Sequence, residues 1–509
     1  MKLQALTIFI LFQASTLQGQ TSLKEIDLNN GDYRVGFNHY LTSDSTRTYR
    51  RIYDYKNQGI PRPVPISIWY PSSEKPNNMK PMTVLNYMEI LKEEEEWEYL
   101  PNEQILNWFY YPNTPANQNH LKEQTGAYPK IDPAHGKFPV IVYAPSYQAS
   151  SIENFALCEY LASHGYLVIS TPSRGTENRF FEGGTEKDME TQARDIEFVI
   201  KELAKLPNAD FDQIATMGFS FGGLSNVLTQ MRNENIKAIV SLDGSIKYQY
   251  PILKKSAFFD IEKVDVPFIH MAQKDIPEQV LKEDHIDSTL NYRFEFYDNL
   301  LFSKAYSIKF HKLTHPYFST LGVLFQQRDP RQDKSDLEIM KSYKLVSEYT
   351  LNFLNAFVKD DAKALNFMDN EPSANGIQNG LITRQTKQSQ SKTFRFQDFN
   401  ELASKQNYDN LDELFASTLK KYPSIELPEG NLNILGLQLI FDPKTSEQGI
   451  NILLLATNIY PNSSNLFDSL AEAYLYVGNK EKARENFDKS LELNSQNQNA
   501  LDRLKQLRE

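Results

Sequence analysis

The chain has a single cysteine, Cys158, in 509 residues, which excludes an internal disulfide framework and any multi-cysteine zinc or iron–sulfur site. Basic charge is in short supply: 54 Lys+Arg stand against 65 Asp+Glu, a net of −11. Nonspecific binding to nucleic acid or to an anionic membrane is therefore not expected. No stretch approaches the ~18 consecutive apolar residues that a membrane-spanning helix needs. G-x-G-x-x-G and Walker patterns are missing, so the glycine-rich nucleotide-binding loops are set aside. What the chain does have is apolar bulk. Hydrophobic residues make up 40%, with 28 Tyr and 31 Phe, enough for a sizeable core and against wholesale disorder. At about 150 residues per domain, the length suggests two to three domains.

The N-terminus reads MKLQALTIFILFQASTLQGQ. A Lys2 n-region, an apolar Leu6–Phe12 run and the small residues Ala14, Ser15 and Gly19 have the layout of a secretory signal peptide over residues 1–20. No cysteine follows it to carry a lipid. The expectation is a mature protein that is exported, periplasmic or secreted.

Beyond Asn465, residues Phe467, Leu470, Ala471, Tyr474, Ala483, Phe487 and Ser490 fall at the bulky and small positions of a 34-residue tetratricopeptide repeat. Gly478 and Asn479 make its turn, and Gly449, Leu453, Ala456 and Pro461 match the second helix of a preceding unit. Residues 394–509 are thus expected to form a stacked, all-α tetratricopeptide-like domain and a candidate docking unit for a protein partner. Residues 360–393, polar and aperiodic, are expected to be a linker.

From Phe138 the chain alternates β-branched apolar runs with longer amphipathic stretches: FPVIVYAP, YLVISTP, QIATMGFS, KAIVSLDG, VPFIHMAQ and YSIKFHKL, with helices between the early ones. That pattern predicts an α/β domain over residues 21–359 with a mostly parallel sheet covered by helices. DYRVGFNHYL and PVPISIWYP read as an antiparallel pair before it, and a closing helix runs from Ser335, spaced for a capping box with Glu338, to Lys359. Residues 75–137 read as an insertion and candidate lid, with Trp97, Trp108 and Tyr110 as candidate lid or acyl-pocket residues. Its acidic run Glu93–Glu96 reads as a solvated helix face.

Gly218-Phe219-Ser220-Phe221-Gly222 follows a predicted strand and opens a predicted helix, the context in which G-x-S-x-G makes a nucleophile elbow. A Cβ at either glycine would collide with the neighbouring strand or helix, and the strained turn exposes the Ser220 hydroxyl. A serine nucleophile needs a base. His270 lies inside a strand, His285 follows a charged run and His311 ends a strand. His315 sits in the loop after the last strand, just before Pro316, where a base can hang over Ser220. Pro316 also argues against a helical His311/His315 metal pair. The acid is Asp243 or Asp275, each ending a strand, and either could accept the imidazole Nδ1–H. Cys158, on a helix among Phe155, Leu157 and Leu161, reads as a core residue and not a nucleophile.

The early PISIWYP strand, GFSFGG at 218–223, LDG at 242–244 and HPYFS at 315–319 resemble the α/β-hydrolase superfamily. Within it they look like the platelet-activating factor acetylhydrolase-like branch, neighbour to the dienelactone hydrolases, over roughly residues 30–358. In that branch the acid ends the strand after the elbow, which implies Asp243. The usual His-Gly before the first helix is replaced here by Ala144-Pro145-Ser146-Tyr147. By position the oxyanion donors become the backbone N–H groups of Tyr147 and Phe221. The resemblance implies an exported serine esterase or acetylhydrolase acting on a small-molecule or lipid-like ester, with no cofactor and no metal. The alternatives are an amidase or peptidase on the same residues, or a decayed hydrolase serving as a scaffold through its C-terminal repeats.

Overall fold

The computed structural model describes residues 21–508 apart from 54, 55, 57, 75–78 and 391–393. The signal-peptide expectation for residues 1–20 lies outside them. The described residues fall into two compact units, one ending at Gln390 and the other beginning beyond it.

The first unit is built on a ten-stranded sheet. In chain order the strands are β1 (Arg34–Tyr40), β2 (Ser43–Tyr49), β3 (Ile60–Pro63), β4 (Ile66–Ser72), β5 (Ala127–Pro129), β6 (Phe138–Ala144), β7 (Leu167–Ser170), β8 (Ala209–Phe219), β9 (Ile236–Leu242), β10 (Phe268–Ala272), β11 (Ala305–Phe310) and β12 (Ile382–Lys387). β2 and β3 form a separate hairpin; the remaining ten run β12-β11-β10-β9-β8-β6-β7-β4-β1-β5. β6 to β11 are mutually parallel, while β4 runs antiparallel to β7 and pairs with antiparallel β1. The runs are almost continuously apolar because helices cover both faces. Val140, Ile141, Val142 and Tyr143 of β6 are all buried, and so is His270 within β10. Cys158 is buried in the helix Phe155–Ser163, and burial pushes its thiol well above the usual range. The helix Asp336–Val358 closes the unit. Ser335 caps it by accepting the Glu338 N–H, but the reciprocal half of a capping box is lost because the Glu338 carboxylate pairs with Lys312 at 3.0 Å.

Two expectations need correction. Residues 360–390 are not a linker. They carry the helix Ala362–Asp369 and then β12, which pairs antiparallel with β11 along its whole length. Met368 and Ile382 are buried against the first unit's core. An edge strand that buries only Ile382 needs no apolar alternation, since its backbone ladder holds it. The described part of the insertion carries the helix Val84–Glu94, further short helices and β5. Its acidic run is not a solvated face. Glu94, Glu95 and Glu96 are all buried, each with partners far along the chain. Glu94 accepts from Ser150 and Ser151, Glu95 from Arg179 and Glu96 from Tyr49.

The second unit is all helical, from Phe396–Lys405 to Gln498–Gln506. Leu453, Leu470, Ala471, Tyr474, Ala483 and Phe487 share one core. Phe467, assigned to that core from sequence, is only half-buried, and its neighbour Leu466 points inward.

Candidate active site

β8 ends at Phe219 and the helix Phe221–Arg232 starts two residues later. Ser220 bridges them at φ 50°, ψ −118°, a conformation costly for a side-chain-bearing residue and stabilised by its surroundings. Its N–H donates to the Leu242 carbonyl, and its own carbonyl accepts from Gly223 and Ser245. The elbow closes only because its glycines lack Cβ atoms. One on Gly222 would sit 2.1 Å from the Ala144 carbonyl oxygen, and one on Gly218 would sit 2.4 Å from the Gly222 backbone. The helix terminus is thereby pressed against the end of β6.

The carboxyl ends of three parallel strands bring the other side chains to Ser220. His315, after β11, lies with Nε2 3.0 Å from Ser220 Oγ and Nδ1 2.6 Å from Asp243 Oδ2, after β9. With the proton on Nδ1, the ring donates to Asp243 and accepts from the serine hydroxyl. Its face rests on Phe219, centroids 5.0 Å apart. Asp243 is fully buried at φ 38°. Burial pushes its carboxyl up, but the His315 hydrogen bond and charge, His270 and the Gln273 N–H outweigh this and hold it below the usual range. Asp275 does not reach the site; it pairs with Lys309 at 2.5 Å. Nor does the site include His270, which bonds Ser241 and is pushed down to about 3 by burial, or exposed His285. His311 follows β11 with its imidazole held down by burial and by Lys309.

The backbone N–H groups of Tyr147 and Phe221 have no hydrogen-bond partner among the described residues. The loop carrying Tyr147 is anchored from two sides. Buried Glu153 accepts from the Ser146 N–H at 2.8 Å and the Ser146 hydroxyl at 2.5 Å. Gln192 donates to the Pro145 carbonyl at 2.9 Å. Ser146, where a His-Gly was expected, thus gives the loop a hydroxyl tether.

Several supporting residues escaped the sequence. Gln273 donates its N–H to Asp243 Oδ1 and accepts the His315 N–H through its side chain, both at about 3 Å (3.1 and 3.0 Å). Tyr248 donates its hydroxyl to Asp243 Oδ1 at 2.8 Å. Gln273 stands two residues before the rejected Asp275, so the strand end was legible but the amide's role was not. Trp97, Trp108 and Tyr110 line a cavity of about 710 Å³ that reaches Ser146 and Tyr147; Ser220 and His315 do not line it.

The family model described as X-Pro dipeptidyl-peptidase (S15 family) matches residues 127–261, a span that holds Ser220 and Asp243 but stops short of His315. No curated protein matches the chain. Among solved structures, a ferulic acid esterase from Streptomyces cinnamoneus aligns at TM-score 0.48 and 16% identity, covering 70% of this chain and 98% of its own. The strand order, with the elbow after β8 and the histidine after β11, decides the architecture. The first unit is an α/β-hydrolase fold. In such sheets the strand carboxyl ends are where ligands and reacting groups collect. All three hydrogen-bonded side chains of this hydrolase unit stand there.

Proposed function

We propose that the protein is an exported serine hydrolase of carboxylesterase or acetylhydrolase type, with Ser220 as nucleophile, His315 as base and Asp243 as the acid that orients it. The observation that carries this reading is the unbroken chain Ser220 Oγ, His315, Asp243 at 3.0 and 2.6 Å. His315 Nε2 takes the proton of Ser220 as Oγ bonds to the ester carbonyl carbon. The oxyanion accepts from the Tyr147 and Phe221 N–H groups, each worth about 3–4 kcal/mol in such sites. Collapse breaks the ester C–O bond, and the leaving alkoxide takes the proton from His315. Water then attacks the acyl-enzyme, giving its proton to His315; the acid departs and Ser220 is reprotonated. No cofactor enters these steps. Buried Asp243, held charged, stabilises the imidazolium at both stages.

The acid on the turn after β9, and not after β10, supports the platelet-activating factor acetylhydrolase-like branch. Residues 1–20 serve as the secretion signal, and residues 394–509 as a tetratricopeptide-like docking unit. The match to a dipeptidyl-peptidase model favours a second reading, amide cleavage on the same residues. A panel of 4-nitrophenyl acyl esters and aminoacyl-4-nitroanilides separates the two. Ester turnover exceeding anilide turnover by 100-fold or more is expected; faster anilide cleavage would replace the esterase by a peptidase.

A further inference from the structure

Solvent-exposed aromatic rings are concentrated at one place on the hydrolase unit. Trp108 is 43% exposed, Tyr110 95%, Tyr147 43% and Phe180 47%, and all four line the 710 Å³ cavity. A cavity of that size suits a small-molecule ligand. Trp97 packs edge-on to Trp108, centroids 4.4 Å apart, which fixes the indole that faces the space. The insertion supplies Trp97, Trp108 and Tyr110, and the oxyanion loop supplies Tyr147.

The polar groups among these rings are specific. Arg179 donates through both terminal nitrogens to Glu95, one bond to the carboxylate and one to the carbonyl. The pair leaves little net charge for a ligand to match. Asn107 and Gln148 add amide groups to the lining. An alkyl or fatty-acyl chain placed here would strip water from these amides and return no hydrogen bond, a penalty of about 1–3 kcal/mol. A neutral sugar fits both halves. Its C–H faces lie on the rings, and its hydroxyls pair with the Asn107 and Gln148 amides.

We propose that this cavity binds a neutral carbohydrate, so that the ester presented to Ser220 is one borne on a sugar. The proposal rests on the serine-hydrolase reading only for its second half; the sugar site stands or falls on its own. Of the three tryptophans, Trp69 is fully buried in the core, whereas Trp97 and Trp108 line the cavity, so indole emission reports on the site.

The full chain is titrated with xylotetraose and cellotetraose, and in parallel with ferulate and hexanoate, following tryptophan emission. A saturable change with at least one oligosaccharide is expected, weakened tenfold or more in Trp108→Ala and in Asn107→Ala. Asn107 and Trp108 are both exposed, so both variants are expected to fold. No saturable response to either sugar, or tighter binding of ferulate or hexanoate, overturns the proposal. A second arm compares kcat/KM on acetylated xylotetraose with that on 4-nitrophenyl acetate. The ratio should fall at least tenfold in Trp108→Ala, mainly through KM, and stay level in Tyr292→Ala, an exposed ring that does not line the cavity; an unchanged ratio in Trp108→Ala counts against a sugar-borne ester. Sugar binding without any ester turnover would sink the hydrolase reading and keep the sugar site; ester turnover without sugar binding would do the reverse.

Discussion

Asp243 and Asp275 illustrate what single residues reveal and conceal. Both end a strand in the sequence, and nothing local separates them. The structure gives Asp243 three donors, from His315, Tyr248 and Gln273, and gives Asp275 a lysine. Asp243→Asn should therefore lower kcat on a 4-nitrophenyl ester by about 10⁴, the scale of losing the orienting acid. Asp275→Asn should cost less than a factor of three. The reverse ranking in a steady-state assay would move the acid to Asp275. Ser220 and His315 were readable because their requirements are local: two glycines around a strained turn, and a loop after the last strand. Gln273, Tyr248 and Glu153 were not, because their value lies in partners brought close by the fold.

Among the elements, the six parallel strands were legible from their apolar runs, while the helices inside the insertion and β12 were not. The acidic run Glu93–Glu96 looks solvated because its partners, Ser150, Ser151, Arg179 and Tyr49, come from other elements. The insertion is held by another buried acid. Glu159, on the helix Phe155–Ser163, accepts from Tyr87 of the helix Val84–Glu94 and from the Gly126 N–H, both at 2.7 Å. Burial pushes its carboxyl up to about 7 against an ordinary 4.5, outweighing those hydrogen bonds. Between these values the folded protein holds a proton that the unfolded chain has lost, so unfolding free energy falls as pH rises from about 4.5 to about 7. The Glu159 share is on the order of 3 kcal/mol. Urea unfolding at pH 5 and pH 8 should show the wild type losing stability at the higher pH, and Glu159→Gln should lose much of that slope. An identical slope in the variant would mean that Glu159 is not protonated in the folded state.

At the scale of the molecule, the division after Gln390 and not at 359 has consequences. A chain ended at Gln390 keeps β12 on the sheet edge. One ended at Lys359 bares the edge of β11 and uncovers Met368's and Ile382's packing sites, inviting edge-to-edge association. Size-exclusion chromatography should find the first species monodisperse and the second aggregated; equal behaviour would mean that β12 is dispensable. The helical unit has its own core, which accounts for why its repeat-like periodicity was visible without reference to the hydrolase sheet. All of the proposed chemistry converges on one atom, Ser220 Oγ, and a fluorophosphonate probe followed by mass spectrometry of the labelled peptide tests it most directly. The account predicts a single stoichiometric adduct on Ser220 of the folded full-length protein, absent from Ser220→Ala and slowed at least 100-fold in His315→Ala. A folded protein left unlabelled, or labelled at another residue, would contradict it.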